Sequence, residues 1–229
     1  MSKQSDLLAL AKLRQRTRYP RYKCIGDYDY HEGAYECDFV SPYTKTAGNV
    51  DAEIMVMLQD WSSAEAMKEE PFDEVTANLG YTPSLPTNKN LIELLYKTFE
   101  LTLRDIYATN LFPFIKPGKM SERIPQRDLV AAGRQFALPQ IRIVNPKLVI
   151  CLGLVTFNAL RRACDLNACQ QLGVAIENPF NIGSTRVWCQ AHTGALGQNN
   201  RNQDRVNRVP DDWLRMKADL VAAMEARIN

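Results

Sequence analysis

Three side chains stand where this sequence could do chemistry, each close behind a short apolar run. Asp60 follows EIMVML and Gln59, Asn110 closes IYAT, and His192 follows RVWCQA. A carboxylate can favour a developing cation and orient a water, and an imidazole can donate to an oxygen that gathers negative charge. An amide offers one donor and one acceptor in a fixed plane, so it can read the edge of a flat ligand. Each residue also has an ordinary structural role open to it. Asp60 could cap a helix over residues 64–70, as Asp often does, and Asn110 could be a turn asparagine ahead of Pro113. His192 is one of only two histidines, the other being His31. Position, more than identity, singles these three out.

The elements needed to bring them together are legible in the apolar spacing. Residues 54–58 are five consecutive apolar residues, too few for an isolated helix and suited to a strand buried on both faces. Further short strands are predicted at 106–111, 148–152 and 186–191. Between them, helical spacing predicts a helix capped by Asn88 with a stripe of Leu91, Ile92, Leu94, Leu95 and Phe99, another over 126–144 bent at Pro139, and a third over 155–164. Pro210 opens a last helix with Trp213, Leu214, Met216, Leu220, Val221 and Met224 inward, proline being favoured at the first helical position. Residues 69–87, 112–119 and 192–201 read as loops. Strands alternating with helices imply an α/β fold, a three-layer α/β/α sandwich around a four-stranded, mostly parallel sheet. Parallel strands end along one edge, where ligands bind. The expectation is a single domain over 1–229, with a helix and an irregular extension in residues 1–50.

At 229 residues and 45% apolar, the chain can bury one sizeable core. A net charge of +2 neither demands nor excludes nucleic acid. The basic and aromatic stretch Arg14, Arg16, Arg18, Tyr19, Arg21, Tyr22 and Lys23 could touch phosphates or simply solvate a helix end. Six scattered cysteines form no C-x-x-C pair, so the expectation is free thiols and no metal site. With no membrane-length apolar run and no secretory leader pattern, the expected location is cytoplasmic. No G-x-G-x-x-G, P-loop or G-x-S-x-G occurs at the strand ends, which argues against dinucleotide, triphosphate and serine-hydrolase chemistry.

Several motifs, in order, carry more. Residues 58–65, LQDWSSAE, share Gln59 and Asp60 with a GQDPYH motif and Glu65 with a GEAPGxxE motif. Pro71-Phe72, Thr109-Asn110, the stretch QIRIVNPKLVICLG at 140–153 and AHTGALGQNNR at 191–201 follow. Together, over residues 53–201, these resemble the uracil-DNA glycosylase superfamily, as a divergent member between its GQDPYH and GEAPG branches and lacking the cluster cysteines of the latter. The resemblance implies no iron–sulfur cluster and no other cofactor. It implies Asp60 and His192 as catalytic residues, with Gln59, Trp61, Ser62, Phe72 and Asn110 around the base. Trp61 and Ser62 replace the Pro-Tyr of the first branch, whose tyrosine blocks a 5-methyl group, so bases with a 5-substituent are admitted. Leu196 is placed as an apolar wedge, with Gln198, Asn200 and Arg201 on DNA and Lys116, Lys119 and Arg123 extending the positive surface. The activity implied is hydrolysis of the N-glycosidic bond of uracil, with other deaminated or 5-substituted bases as further candidates, after base flipping, by a monomer acting on DNA. Two rivals stay open: a small-molecule hydrolase using the same carboxylate, and a nucleic-acid-binding protein without activity.

Overall fold

The computed structural model describes residues 2–225. After α1 (Lys3–Arg16) the chain runs through an extension with two short 3-10 turns, His31–Gly33 and Pro42–Lys45, into β1 (Ile54–Asp60), α2 (Ala64–Glu69), α3 (Glu74–Leu79) and α4 (Pro86–Phe99). Next come β2 (Tyr107–Phe112), α5 (Gln126–Ala132), a π-helical turn at Gly133–Ala137, α6 (Leu138–Val144), β3 (Leu148–Leu152) and α7 (Leu154–Ala163). The chain closes with α8 (Leu172–Glu177), β4 (Phe180–Ile182), β5 (Thr185–Gln190), α9 (Ala195–Arg201) and α10 (Val209–Glu225).

The sheet has five strands in the order β2-β1-β3-β5-β4. The first four run parallel, while β4 pairs antiparallel with β5 at the edge. The sequence predicts four strands, and β4 is the addition. Its three residues bury only Phe180, so they carry no readable alternation. The strands β1, β2 and β3 are almost wholly buried, as expected of a parallel sheet covered on both sides.

Strand register decides which helices lie on which face. Val56, Ile150 and Trp188 are register partners and share one face. Trp188 Nε1 donates to Asp219 Oδ2 of α10 at 2.8 Å, and α4 packs on α10. That face therefore carries α4 and α10. Met55 and Tyr107 share the other, where the Tyr107 hydroxyl bonds Gln140 Oε1 of α6 at 3.0 Å. Two residues further along β1, Leu58 falls on the α4/α10 face with Asn110 as its partner, and Asp60 ends the strand level with Phe112.

The extension is tied down, not draped. Arg14, fully buried, donates to the carbonyls of Cys37 and Phe39 at 2.7 and 2.9 Å and pairs with Glu36 at 2.6 Å. This basic residue is an anchor and not part of a phosphate-binding face. Ile25, Tyr30 and Tyr35 build a second small core with Met67, Ala77 and Ile115.

Other expectations are corrected at short elements. Residues 74–79 form α3 within the expected loop, capped by Asp73 and closed by Gly80 at φ +80°. A Cβ at Gly80 would fall 1.8 Å from the Pro42 carbonyl, so the close approach of two backbones demands glycine. Helix α4 begins at Pro86, and Asn88 lies buried inside it, accepting from the Tyr43 hydroxyl at 2.8 Å and donating to the Thr82 carbonyl at 2.7 Å. Ahead of Pro139 the backbone widens into the π-helical turn, which accommodates the missing donor. In α10, Trp213, Met216 and Leu220 are buried whereas Leu214 and Val221 face out. The Met224 side chain lies outside the described residues.

Candidate active site

Asp60 is the last residue of β1, and its side chain is only 7% exposed. Oδ1 accepts from Gln59 Nε2 at 2.7 Å. Oδ2 lies 2.9 Å from the ammonium of Lys116, itself nearly buried, at an angle outside hydrogen-bond range. Lys116 Nζ donates to the Met120 carbonyl at 2.6 Å. The cap of α2 is Ser63, whose Oγ accepts from the Ala66 N–H at 3.4 Å, so Asp60 is not spent on a helix end. Placing Lys116 on an outer positive surface is thus corrected: it is the carboxylate's counter-ion. Its one sequence signal is the apolar FPFI run just before it.

His192 follows β5 by two residues and is half-buried. The Gly194 N–H donates to its Nδ1 at 3.0 Å, so the neutral ring carries its proton on Nε2 and presents a donor there. Burial pushes the imidazole pKa below its usual value, and the negative charge of Asp60 partly offsets that. The two residues therefore feel each other across the sheet end, and the ring is held in the neutral, donating form.

Asn110 lies one strand away from β1, level with Leu58 and so about 7 Å short of Asp60 along the strand direction. It is 1% exposed. Its Oδ1 accepts from the Ser41 hydroxyl at 2.5 Å, while Nδ2 is buried with no hydrogen-bond partner among the described residues. A polar chain connects this amide to the histidine loop through the first turn of α4. Tyr43 N–H reaches Ser41 Oγ at 3.2 Å, the Tyr43 hydroxyl reaches Asn88, and the Thr193 hydroxyl donates to the Thr87 carbonyl at 2.8 Å. Asn90 Nδ2 completes the clasp on the Thr193 carbonyl at 2.8 Å. Carboxylate, amide and imidazole thus gather at one end of the sheet.

The sequence profile of the Uracil DNA glycosylase superfamily matches residues 46–214, a span holding all three strand ends. The chain belongs to this superfamily. No individually curated protein matches it.

Around that superfamily core, the remaining candidate residues separate into two groups. Phe72 is 46% exposed and packs on Tyr35 and His31, with ring centroids at 5.3 and 5.8 Å. Tyr35 in turn meets Trp61 at 5.4 Å, and Trp61 Nε1 donates to the Gly80 carbonyl at 2.9 Å. Gln59 lies within β1 next to Asp60, and Trp61 and the half-buried Ser62 follow directly after the strand. The rings of Phe72, His31, Tyr35 and Trp61 form one aromatic cluster that meets β1 at Trp61, the residue after Asp60. His31, read as part of an irregular segment, belongs to it, and no local sequence pattern foretells a contact across forty residues.

On the opposite flank, residues 195–201 form α9 in place of the expected loop. Leu196 is 75% exposed at its tip. Asn200 faces solvent, and Gln198 Nε2 reaches back to the Thr193 carbonyl at 3.3 Å. Arg201 forms a two-armed pair with Asp212 at 2.6 and 2.8 Å, which ties α9 to α10. Its charge is neutralised in place. Lys119 sits 3.7 Å from Glu65, and Arg123 is exposed. No group of three or more His, Cys, Asp or Glu side chains able to hold a metal occurs among the described residues, and none of their helices is long and apolar enough to cross a membrane.

Proposed function

We propose that this protein is a monofunctional DNA glycosylase that hydrolyses the N-glycosidic bond of uracil, and of related deaminated or 5-substituted bases, acting on DNA as a monomer without a cofactor. The observation that carries the reading is the pairing at one sheet end of an ionisable carboxylate, Asp60, with a neutral imidazole, His192, whose free nitrogen is a donor.

The chemistry follows from those two groups. A base inside a duplex is out of reach, so the nucleotide turns out of the stack, with Leu196 filling the gap it leaves and Gln198 and Asn200 next to the backbone. Arg201 supports that surface by fixing α9. As the bond from the sugar carbon to N1 breaks, its electron pair stays with the base and negative charge gathers on O2. His192 Nε2–H donates to that oxygen. The sugar becomes cationic, and the Asp60 carboxylate favours it and orients the water that adds to the carbon. That water loses a proton and the base anion gains one. Asn110 reads the N3–H and O4 edge, and Phe72 and Trp61 offer ring faces to the base. Ser62, in place of a tyrosine, leaves room for a 5-substituent.

The test is release of free base from oligonucleotides containing uracil, hypoxanthine or 5-substituted uracils. Asp60→Asn is expected to slow uracil release by about 10²- to 10⁴-fold, and His192→Ala by about 10²- to 10³-fold. Unchanged rates in both variants would overturn the assignment. A second reading, DNA binding without catalysis, draws on Lys116, whose ammonium offsets part of the Asp60 charge. It predicts wild-type protein that shifts uracil-containing DNA and releases nothing.

A further inference from the structure

We infer that Ser41 is a specificity-determining positioning residue: its hydroxyl holds the Asn110 amide in the one orientation that reads a pyrimidine with a donor at N3 and an acceptor at position 4, and excludes the orientation that reads cytosine. The inference rests on the proposed base-reading role of Asn110 and extends it to a residue in the N-terminal extension, 69 positions away in sequence.

A carboxamide is nearly symmetric in shape. Turning it by half a rotation exchanges its oxygen and its nitrogen, and with them the base edge it complements. In one orientation it accepts from N3–H and donates to O4, as uracil requires. In the other it donates to N3 and accepts from a 4-amino group, as cytosine requires. Shape alone therefore cannot tell the two bases apart, so something outside the amide must hold it.

Ser41 supplies that hold. Its oxygen already accepts from the Tyr43 N–H at 3.2 Å, and its single proton is directed to Asn110 Oδ1 at 2.5 Å. Both side chains are almost fully buried, at 0% and 1% exposure, so the contact is sealed from bulk solvent. Turning the amide would set Nδ2–H against the serine hydroxyl and take away the acceptor its proton now has, a costly change for a buried donor. In the held orientation Oδ1 retains a second lone pair, and Nδ2, buried and unpartnered, is the donor left for a ligand. The Ser41 backbone is itself fixed, because residues 42–45 form a 3-10 turn whose Thr44 hydroxyl donates to the Ala108 carbonyl of β2 at 2.8 Å.

The experiment separates this inference from the reading beneath it. Wild-type protein is first assayed for release of uracil from an ordinary deoxyuridine oligonucleotide. Affinity is then measured for oligonucleotides carrying 2′-fluoro-deoxyuridine or 2′-fluoro-deoxycytidine, in which the fluorine disfavours the sugar cation and keeps the bond intact. Wild type is expected to prefer the uracil probe. In Ser41→Ala that preference falls by at least about fivefold, the lower end for one buried donor lost from the discrimination. Ser41→Cys, close in size and a weaker donor, moves the ratio in the same direction and serves if the alanine variant does not fold. Release of uracil by wild type with an unchanged probe ratio in the folded variants overturns the role of Ser41 and leaves the glycosylase reading standing. A wild type that neither releases uracil nor prefers either probe overturns the reading, and this inference with it.

Discussion

At the scale of single residues, hydrogen bonds and burial fix the state of two groups of the candidate site, Asn110 and His192. His192 is the clearest case, because burial lowers its pKa while the Gly194 N–H occupies Nδ1. Below the ordinary histidine value of about 6.5, the unfolded chain takes up a proton here that the folded chain resists. Stability from this residue is therefore complete above that pH and is lost as the pH falls toward the lowered folded value. Urea unfolding of wild type and His192→Gln across pH 5 to 8 should show an acid-side loss in wild type that is smaller in the variant. Identical pH dependence in both would contradict a buried neutral ring. Asp60, Asn110 and His192 were legible in the sequence because each stands within two residues of the end of an apolar strand, and strand direction brings such ends together. Their partners were not. Lys116 and Ser41 come from segments without period, and only folding sets the Lys116 ammonium against Asp60 and the Ser41 hydroxyl against Asn110.

Elements follow the same division. The strands β1, β2, β3 and β5 announce themselves as compact apolar runs because both faces are buried, and α4 does so through Leu91 and Leu95. Short surface elements lack that signature. Helix α9 buries no residue at all, so no apolar stripe could mark it, and its only clue is the glycine pair around Ala195-Leu196. One of that pair has a steric job: a Cβ at Gly197 would fall 2.3 Å from the His192 carbonyl oxygen and 2.7 Å from its Cβ. Gly197→Ala must therefore shift either α9 or the imidazole. With nothing buried on α9, the shift costs little stability, and alanine also favours the helix. The expected outcome is a melting temperature within about 4 °C of wild type and uracil release reduced on the order of 10²-fold, the effect of a misplaced catalytic group. A variant that melts normally and retains full activity would show that α9 does not set the position of His192.

For the molecule as a whole, the question is how a chain with a net charge of only +2 would hold DNA. Counting basic residues near the strand ends overstates the available charge, because folding spends much of it internally. Lys116 is buried against Asp60, Arg201 is locked on Asp212, and Arg14 is sealed inside the extension. Among the basic residues expected on that surface, Lys119, in loose contact with Glu65, and the exposed Arg123 keep charge to offer phosphates. Each phosphate neutralised releases counterions and adds about 0.9 to the slope of log affinity against log salt on duplex DNA, so about two contacts give a slope near −2. Affinity for a duplex containing 2′-fluoro-deoxyuridine, titrated from low to moderate salt, should fall that gently if, as proposed, recognition depends on a flipped base and a wedge at Leu196 more than on the backbone. Lys119→Ala and Arg123→Ala should each flatten the slope by about one. A wild-type slope steeper than about −5 would require a phosphate-binding surface elsewhere on the molecule, and the exposed arginines of the N-terminal region would be the first place to seek it.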